Sequence, residues 1–421
     1  MLTEPHRRNH FFAIPVAVLV LFASSFAFPA IAQECGVFST NPCIVPIPVK
    51  VAPVSTNCYD SDDAKDSKRP WGNSAQSFDH ILDPLRRQKT GEYAKYRQTW
   101  RIVDPQYTDL RKLAKAVTDK YSEIVYPGTG SNFSITAKQV KTEYFVYQYP
   151  AGFFRNTQPA DVETKKITVE VSVPKRGSHT FTAYVLRWKE VEKGREPSYF
   201  INGHWGDAPS RVSIGLEPDV RGGASGASAG RLALCGVPVI TFDPALGPPL
   251  QSVLIDLDAM DRAVLRNFGN VQKVNAVGLS GGAERLFHQM MISLNLRTAY
   301  FAGYFQSPWT RNIRGVVGLD TDPDTDNREF QSNFQWSELA AVGISRGTRL
   351  AFASNTYEDG ANKNSLFQEL LPELKRIGVS VYVGGDDPLG TGVPGTNRPG
   401  LCHEIDIDDY LRFLKTTCLA K

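Results

Sequence analysis

The sequence has little net charge and no closely spaced cysteine pair. Of its 421 residues, 47 are Lys or Arg and 44 are Asp or Glu, which leaves a formal net charge of +3. Two of the positive charges, Arg7 and Arg8, lie near the N-terminus, so the rest of the chain has too little basic excess for a nucleic-acid binder. No Cys-x-x-Cys pair is present, which argues against a zinc site. What remains is an ordinary globular composition in a chain long enough for one large catalytic domain and a further segment.

Residues 1–32 are typical of a cleaved export signal. Arg7 and Arg8 supply positive charge, and an apolar stretch interrupted by a proline follows over Phe11–Phe28. Ala30-Ile31-Ala32 then supplies the small residues that a signal peptidase requires, which predicts cleavage before Gln33. The alternative is a retained membrane anchor, but the apolar stretch is broken. We therefore expect a secreted or periplasmic protein with no stable membrane span after cleavage.

The cysteines all follow the predicted cleavage site. An even number of cysteines in an exported chain predicts disulfides, with free buried thiols as the alternative. The pairing is not determined by sequence, although the nearest partners are Cys35 with Cys43 or Cys58, and Cys402 with Cys418. The six are Cys35, Cys43, Cys58, Cys235, Cys402 and Cys418.

Residues 33–160 form a predicted N-terminal extension. Its first part, to about residue 60, is rich in Pro and Val and contains three of the cysteines. Asp109–Ile124 has the apolar spacing of a helix. This extension is either a small packing subdomain or a wall of the substrate cleft.

Residues 161–421 alternate between strand and helix patterns. Two β-branched segments, Ile167–Val173 and Phe181–Trp188, flank a turn and predict a hairpin. The β-α units that follow predict an α/β fold, with a mostly parallel sheet and helices on both faces. Strands are expected over 199–201, 237–242, 274–279, 299–305, 349–354 and 379–383, and helices over 231–235, 252–268, 281–294, 365–377 and 408–418. An insertion is expected at about 309–338.

The pattern Gly-x-Ser-x-Gly occurs three times, around Ser228, Ser280 and Ser345. In hydrolases this pattern places a nucleophilic serine on a sharp turn from a strand to a helix. Ser280 alone follows a buried strand pattern and precedes a helix pattern. Ser228 follows a Gly-rich segment and Ser345 precedes a strand, so both are expected to be loop serines. Ser280 is therefore the predicted nucleophile.

A serine hydroxyl needs a base to take its proton, and enzymes built on such a turn have the chain order serine, acid, histidine. His403 follows the last predicted strand and precedes the last helix, and it is the predicted base. His288 lies inside the helix after Ser280 and is expected to be packed, and His80 and His179 come too early. The alternative for His403 is an ordinary surface histidine.

The acid should follow the penultimate strand, where both Glu358 and Asp359 are available. The length of the turn favours Glu358, but Asp359 stays open. Asp386 and Asp387 follow the final strand instead and rank lower.

Two backbone N–H groups should stabilise the oxyanion. One is expected from Gly281, directly after the nucleophile. The other is expected from the loop Asn202–Gly206, where His204 or Trp205 would donate. His204 could instead have a purely structural role.

These residues in this order resemble the α/β-hydrolases, and within them bacterial acetyl-xylan-esterase-like and dienelactone-hydrolase-like serine esterases. The resemblance covers roughly residues 160–421 and carries over Ser280, His403 and the two candidate acids. It implies hydrolysis of a small-molecule or polymer ester through an acyl-enzyme, without a cofactor. A peptidase or amidase, an acyltransferase, and a non-catalytic binding protein are the alternatives, and oligomeric state is not predicted.

The predicted insertion contains alternating aspartates over Asp320–Asp326, which could bind Ca²⁺. A calcium loop of the EF-hand type has Gly at its sixth position and Glu at its twelfth, where this chain has Thr325 and Gln331. A solvated acidic loop is therefore the favoured interpretation, and no metal is predicted.

Overall fold

The computed structural model describes fifteen segments of the chain. These are residues 45–50, 110–126, 135–154, 157–175, 177–188, 195–202, 209–217, 228–243, 250–268, 271–279, 281–293, 295–302, 342–354, 378–383 and 405–419.

The described strands form one mixed sheet. They are β1 (Ile47–Pro48), β2 (Thr136–Tyr149), β3 (Ala160–Val173), β4 (Gly177–Trp188), β5 (Ser198–Asn202), β6 (Val239–Asp243), β7 (Val274–Leu279), β8 (Leu296–Ala302), β9 (Arg349–Ser354) and β10 (Ser380–Val383). Their order across the sheet is β1-β2-β3-β4-β6-β5-β7-β8-β9-β10. The strands from β6 to β10 in this order are parallel, and the predicted hairpin of β3 and β4 is confirmed.

The labelled helices lie on both faces of this sheet. They are α1 (Leu110–Val125), α2 (Pro209–Ile214), α3 (Ser228–Leu234), α4 (Leu250–Ala263), α5 (Gly281–Ile292) and α6 (Ile407–Leu414). A 3₁₀ turn at Leu265–Phe268 follows α4. The predicted helix over 365–377 lies outside the described residues.

Alternate residues of the central strands enter two separate apolar clusters. In β5, Tyr199 and Ile201 pack in the cluster that includes α1, α4 and α5, whereas Phe200 packs in the cluster that includes α2, α3 and α6. Successive side chains of a strand point to opposite faces. Because both faces are covered, these strands have apolar residues on both sides, and the predicted two-sided α/β architecture is confirmed.

Strand β2 is the main element that the sequence pattern did not reveal. It pairs with β3 along its whole length, from Thr136 opposite Ser172 to Tyr149 opposite Ala160. The first half of β2 is mostly exposed and contains lysines, and its register shifts between Gln139 and Lys141. It therefore has no clear apolar alternation. The predicted N-terminal extension thus contributes a strand to the sheet, while its boundary at residue 160 stays a prediction.

Several predicted boundaries are corrected. Strand β3 begins at Ala160 rather than at residue 167, and β4 begins at Gly177 rather than at residue 181. The helix predicted over 231–235 spans Ser228–Leu234, and the helix predicted over 252–268 ends at Ala263.

The last helix ends at Leu414 rather than at residue 418, because Lys415 adopts a left-handed conformation with φ 61° and closes the helix. Strand β8 begins at Leu296, three residues before the predicted start. Residues 303–305, the predicted end of that strand, lie outside the described residues.

A disulfide joins Cys235, at the end of α3, to Cys418, after α6. The local pairing of Cys402 with Cys418 was therefore wrong. The two bonded residues are 183 positions apart, and their Cα atoms are brought to 4.2 Å only by the packing of α3 and α6 on one face. The other four cysteines lie outside the described residues.

Candidate active site

The turn between β7 and α5 has the predicted strand-turn-helix order. Strand β7 is buried along its length and ends at Leu279, and α5 begins at Gly281. Gly281 is the one predicted site residue within the described segments. Ser280, His403, Glu358, Asp359, His204 and Trp205 lie outside them and stay predictions.

The backbone at Gly278 and the first turn of α5 approach each other closely. A Cβ atom at Gly278 would lie 2.6 Å from both the N and the Cα of Ala283, and closer still to the carbonyl oxygen of Gly282. Because these are backbone atoms, no side-chain rearrangement would relieve the contact. The first glycine of the Gly-x-Ser-x-Gly pattern is therefore a steric requirement of this turn.

The carboxyl ends of four strands meet at one edge of the sheet. Asn202 pairs with Leu279, Leu279 with Ala302, and Ala302 with Ala353. Residues 203–206, Ser280 and the pair of Glu358 and Asp359 follow the ends of β5, β7 and β9 in sequence. We call this edge the carboxyl edge and the opposite one the amino edge.

The chain also reverses direction across the sheet between β5 and β7. From β5 it proceeds to β6 through α2 and α3 on one face, and from β7 it proceeds to β8 through α5 on the other. Neighbouring strands whose connections leave to opposite sides form a crevice at their carboxyl ends, where open α/β sheets bind ligands. The crevice between β5 and β7 is therefore the candidate site.

Helix α6 ends at the amino edge. The Arg349 guanidinium donates to the carbonyl oxygen of Phe413 at 2.7 Å, and Tyr410 donates to Ser198 Oγ at 2.9 Å. Arg349 and Ser198 are the first residues of β9 and β5. At the other end of α6, the Asp406 carboxylate caps the helix by accepting the N–H groups of Asp408 and Asp409.

The two other serines of the repeated pattern lie in helical segments, so the expectation of loop serines was wrong. Ser228 is the first residue of α3 and is fully buried. Ser345 is in a helical segment over residues 342–345, where its hydroxyl donates to the Val342 carbonyl at 2.7 Å. Ser345 precedes β9 and so belongs to the amino edge.

Two histidines have described partners. His288 is buried in α5, and its Nδ1 is 2.9 Å from the Tyr121 hydroxyl, which confirms that it is packed. His179 lies in β4, two residues beyond the start of the strand, and its Nε2 is 2.6 Å from Oδ1 of the fully buried Asp256. This hydrogen bond raises the pKa of His179. His179 and Asp256 are 77 positions apart in sequence, so no local pattern indicates that they are in contact.

Asp243, the last residue of β6, forms a hydrogen bond with the first turn of α2. Oδ1 of Asp243 accepts the backbone N–H of Ser210 at 2.8 Å. Burial raises the pKa of Asp243, and hydrogen bonds from Ser210 oppose this shift. No local sequence pattern indicates this contact, because the partner of Asp243 lies 33 positions earlier in the chain.

Among the described residues, no group of three or more His, Cys, Asp or Glu side chains is arranged to hold a metal ion. The predicted calcium loop at Asp320–Asp326 lies outside them. None of the helices that the structure describes is long and apolar enough to cross a bilayer.

No protein-family model matches the sequence, and no curated protein sequence matches it. A comparison with solved structures does find matches. A Bacteroides fragilis protein described as an acetyl xylan esterase is 14% identical, with a TM-score of 0.41 over 79% of this chain and 88% of that one. A promiscuous CE15 esterase from a marine bacterial metagenome is 11% identical, with a TM-score of 0.42 over 68% and 91%. The acylaminoacyl peptidase of Pyrococcus horikoshii is 11% identical, with a TM-score of 0.37 over 66% of this chain and 50% of that one.

The fold assignment rests on this chain's own strands. A mostly parallel sheet has helices on both faces, and its central strand β7 turns sharply into α5 at the predicted nucleophile pattern. The chain therefore has an α/β-hydrolase fold.

Proposed function

We propose that this protein is a serine esterase with Ser280 as its nucleophile. The observation that carries the proposal is the close backbone contact between Gly278 and the first turn of α5. A turn that tight presents the residue between strand and helix at the carboxyl edge, and that residue is Ser280. The crevice between β5 and β7 supports the same location.

In the proposed reaction, Ser280 Oγ attacks the ester carbonyl carbon while His403 takes its proton. The tetrahedral intermediate collapses, and the alcohol leaves with the proton from His403. Water, deprotonated by His403, then attacks the acyl carbon. The bond from this carbon to Ser280 Oγ breaks, the carboxylic acid leaves, and His403 returns its proton to Ser280 Oγ. Glu358 or Asp359 orients His403 and stabilises its charged form. Because α6 ends at the amino edge, we expect the chain before α6, which contains His403, to come from the carboxyl edge.

The proposed oxyanion donors are the N–H of Gly281 and an N–H from His204 or Trp205. Gly281 begins a 12-residue helix, whose first N–H groups have no partners within the helix and whose dipole favours negative charge nearby. Segment 203–206 follows Asn202, which pairs with the residue before Ser280. Donors from both sources would therefore converge on the same crevice.

We also propose that the protein is exported. The Cys235–Cys418 disulfide supports an oxidising compartment, in agreement with the predicted signal over residues 1–32. Mass spectrometry of the N-terminal peptide of protein isolated from the culture medium or periplasm should place the first residue at Gln33, as glutamine or as its cyclised pyroglutamate form. A retained Met1 in exported protein would contradict the predicted cleavage.

The test of activity compares two serines in the same sequence pattern. Ser280→Ala should lower the kcat for p-nitrophenyl acetate by about 10⁴-fold or more, as expected for a triad nucleophile. Ser345→Ala, in the exposed third copy of the pattern, should leave kcat unchanged. Peptide p-nitroanilides should be turned over far more slowly than the ester. Equal activity of wild type and Ser280→Ala would overturn the proposal.

A further inference from the structure

Helix α4 carries three aspartates within six positions, and the residues between them are apolar and fully buried. Asp256 contacts β4, Asp258 contacts the residue that follows α1, and Asp261 contacts β5. Enclosed carboxylates cost free energy unless hydrogen bonds or positive charges balance them. We propose that these contacts make α4 a pH-sensitive element, which is held closed in acidic surroundings and opens locally as pH rises.

The first contact joins α4 to the hairpin of β3 and β4. The Asp256 side chain is fully buried, and its Oδ1 is 2.6 Å from Nε2 of His179, whose side chain is 30% exposed. Because the hydrogen bond with Asp256 raises the pKa of His179, the closed protein binds the histidine proton more tightly than an opened one does. The stabilisation is complete below about pH 6.5 and is lost as pH rises through the raised pKa.

The second contact joins the other end of α4 to β5 and to the end of α5. Tyr199 of β5 and Ser293, just after α5, donate to the Asp261 carboxylate at 2.6 Å and 2.8 Å. Burial nevertheless raises the pKa of Asp261 to about 6, with a smaller contribution from the charge of Asp258. The closed protein therefore holds this proton more tightly too, and the stabilisation is lost as pH rises through about 6. The two contacts change in the same direction.

The neighbouring groups do not oppose this change. Tyr126 donates to Asp258 at 2.6 Å, and Arg262 of α4 itself forms an ion pair with Asp258 at 3.1 Å. Burial raises the pKa of both Tyr126 and Tyr199, so these tyrosines stay uncharged, and Arg262 supplies one fixed positive charge. Three further side chains that hydrogen-bond to α4 carry no charge, and they are Gln139, Ser293 and Asn295.

The charge around α4 is balanced only in acid. At about pH 5, the positive charges of His179 and Arg262 face Asp256 and Asp258, while Asp261 is mostly neutral. As pH rises, His179 loses its positive charge and Asp261 gains a negative one, so the cluster becomes more negative by two units. Like charges repel strongly where water is largely excluded, so α4 is held less tightly.

Local opening of α4 can be followed by amide hydrogen exchange in the full-length, disulfide-bonded protein. After correction for intrinsic exchange at each pH, the opening constant of peptides from Leu250–Ala263 should rise by about 50-fold or more between about pH 4 and 8, from the shift of Asp261 alone. Peptides from α6, which packs on the other face of the sheet, should change by less than about threefold. An equal rise in α6 would mean that pH acts on the whole fold, and it would overturn local opening. Because no substrate is used, the result does not depend on the proposed esterase activity.

Two conservative substitutions remove the titrating groups. Asp261→Asn can still accept hydrogen bonds but cannot ionise, and His179→Gln keeps a donor for Asp256 but cannot gain a charge. In the double variant, the opening constant of α4 should change by less than about threefold over the same pH range. Asp119→Asn, at an exposed carboxylate paired with Lys115, is the control and should keep the full response.

The single variants serve if the double variant does not fold. Asp261→Asn should remove the part of the response centred near pH 6, and His179→Gln should remove the part at higher pH. A full response in the double variant, or in both single variants, would show that other groups are responsible and that the inference is wrong.

Discussion

Asn202 and Leu279, the last residues of β5 and β7, lie opposite each other in the sheet. Their strands are parallel neighbours, yet the chain leaves them through helices on opposite faces. The carboxyl ends of the two strands therefore border one crevice, and strands β8 and β9 extend the same edge beyond it.

The acid of the proposed triad can be identified by two conservative substitutions. Strand β9 ends at Ser354, as predicted, which keeps Glu358 the favoured residue. Glu358→Gln should lower kcat by orders of magnitude, because the carboxylate stabilises charged His403. Asp359→Asn should cost less than about tenfold, since an exposed charge contributes little. Steady-state kinetics on p-nitrophenyl acetate decide between them. If Asp359→Asn costs more kcat than Glu358→Gln, Asp359 is the acid of the triad. If both variants lose little activity, Asp386 and Asp387 become the candidates.

The steric role of Gly278 predicts a stability difference between two glycines. Gly278→Ala should lower the free energy of unfolding by about 1–3 kcal/mol or more, because its Cβ meets the backbone of Gly282 and Ala283. Gly343→Ala is the control, since its Cβ meets the flexible side chain of Met290. It should cost less. Urea denaturation of both variants gives the comparison, and a smaller loss at Gly278 would contradict the tight turn.

The disulfide predicts equal effects from three variants. Cys235→Ala, Cys418→Ala and the double variant each remove the same cross-link, and each should lose about 2–4 kcal/mol of stability. Thermal unfolding under non-reducing conditions measures the loss. Additive losses in the double variant would argue against a bond between these residues. Peptide mapping that links Cys418 to Cys402 would do the same.

The buried Asp261 predicts that stability falls as pH rises. Its carboxylate accepts hydrogen bonds from Tyr199 and Ser293, but burial outweighs them and raises its pKa to about 6. The folded protein therefore binds this proton more tightly than the unfolded chain does. The stabilisation is complete below about pH 4 and is lost as pH rises through about 6. Relative to an ordinary carboxyl, the difference corresponds to roughly 3 kcal/mol.

Asp261→Asn should flatten the dependence of stability on pH between about 4 and 7. Unfolding in urea across this range provides the measurement. Asp119→Asn is a control at an exposed carboxylate paired with Lys115, and it should change stability little. An unchanged pH profile in Asp261→Asn would show that Asp261 is not the group responsible.

Local sequence determined the elements around the candidate site. Val274–Leu279 is a mostly apolar strand that is buried at every residue because both of its faces are covered, and Gly278 permits a sharp turn into α5. These features lie within about a dozen consecutive residues, so their pattern was sufficient to predict the turn. The same holds for the end of β9 at Ser354 and for the hairpin of β3 and β4.

Only the tertiary structure decided which distant residues meet. Strand β2 was not predicted, because its exposed lysines interrupt the alternation of apolar and polar residues. Its place in the sheet is determined by its pairing with β3. The bond from Cys235 to Cys418 and the contact of Asp243 with Ser210 join residues that no local pattern relates. The physical reason is that the order of strands across the sheet depends on helix packing over both faces. That order, and not the spacing of residues along the chain, brings β5 beside β7 and creates the crevice.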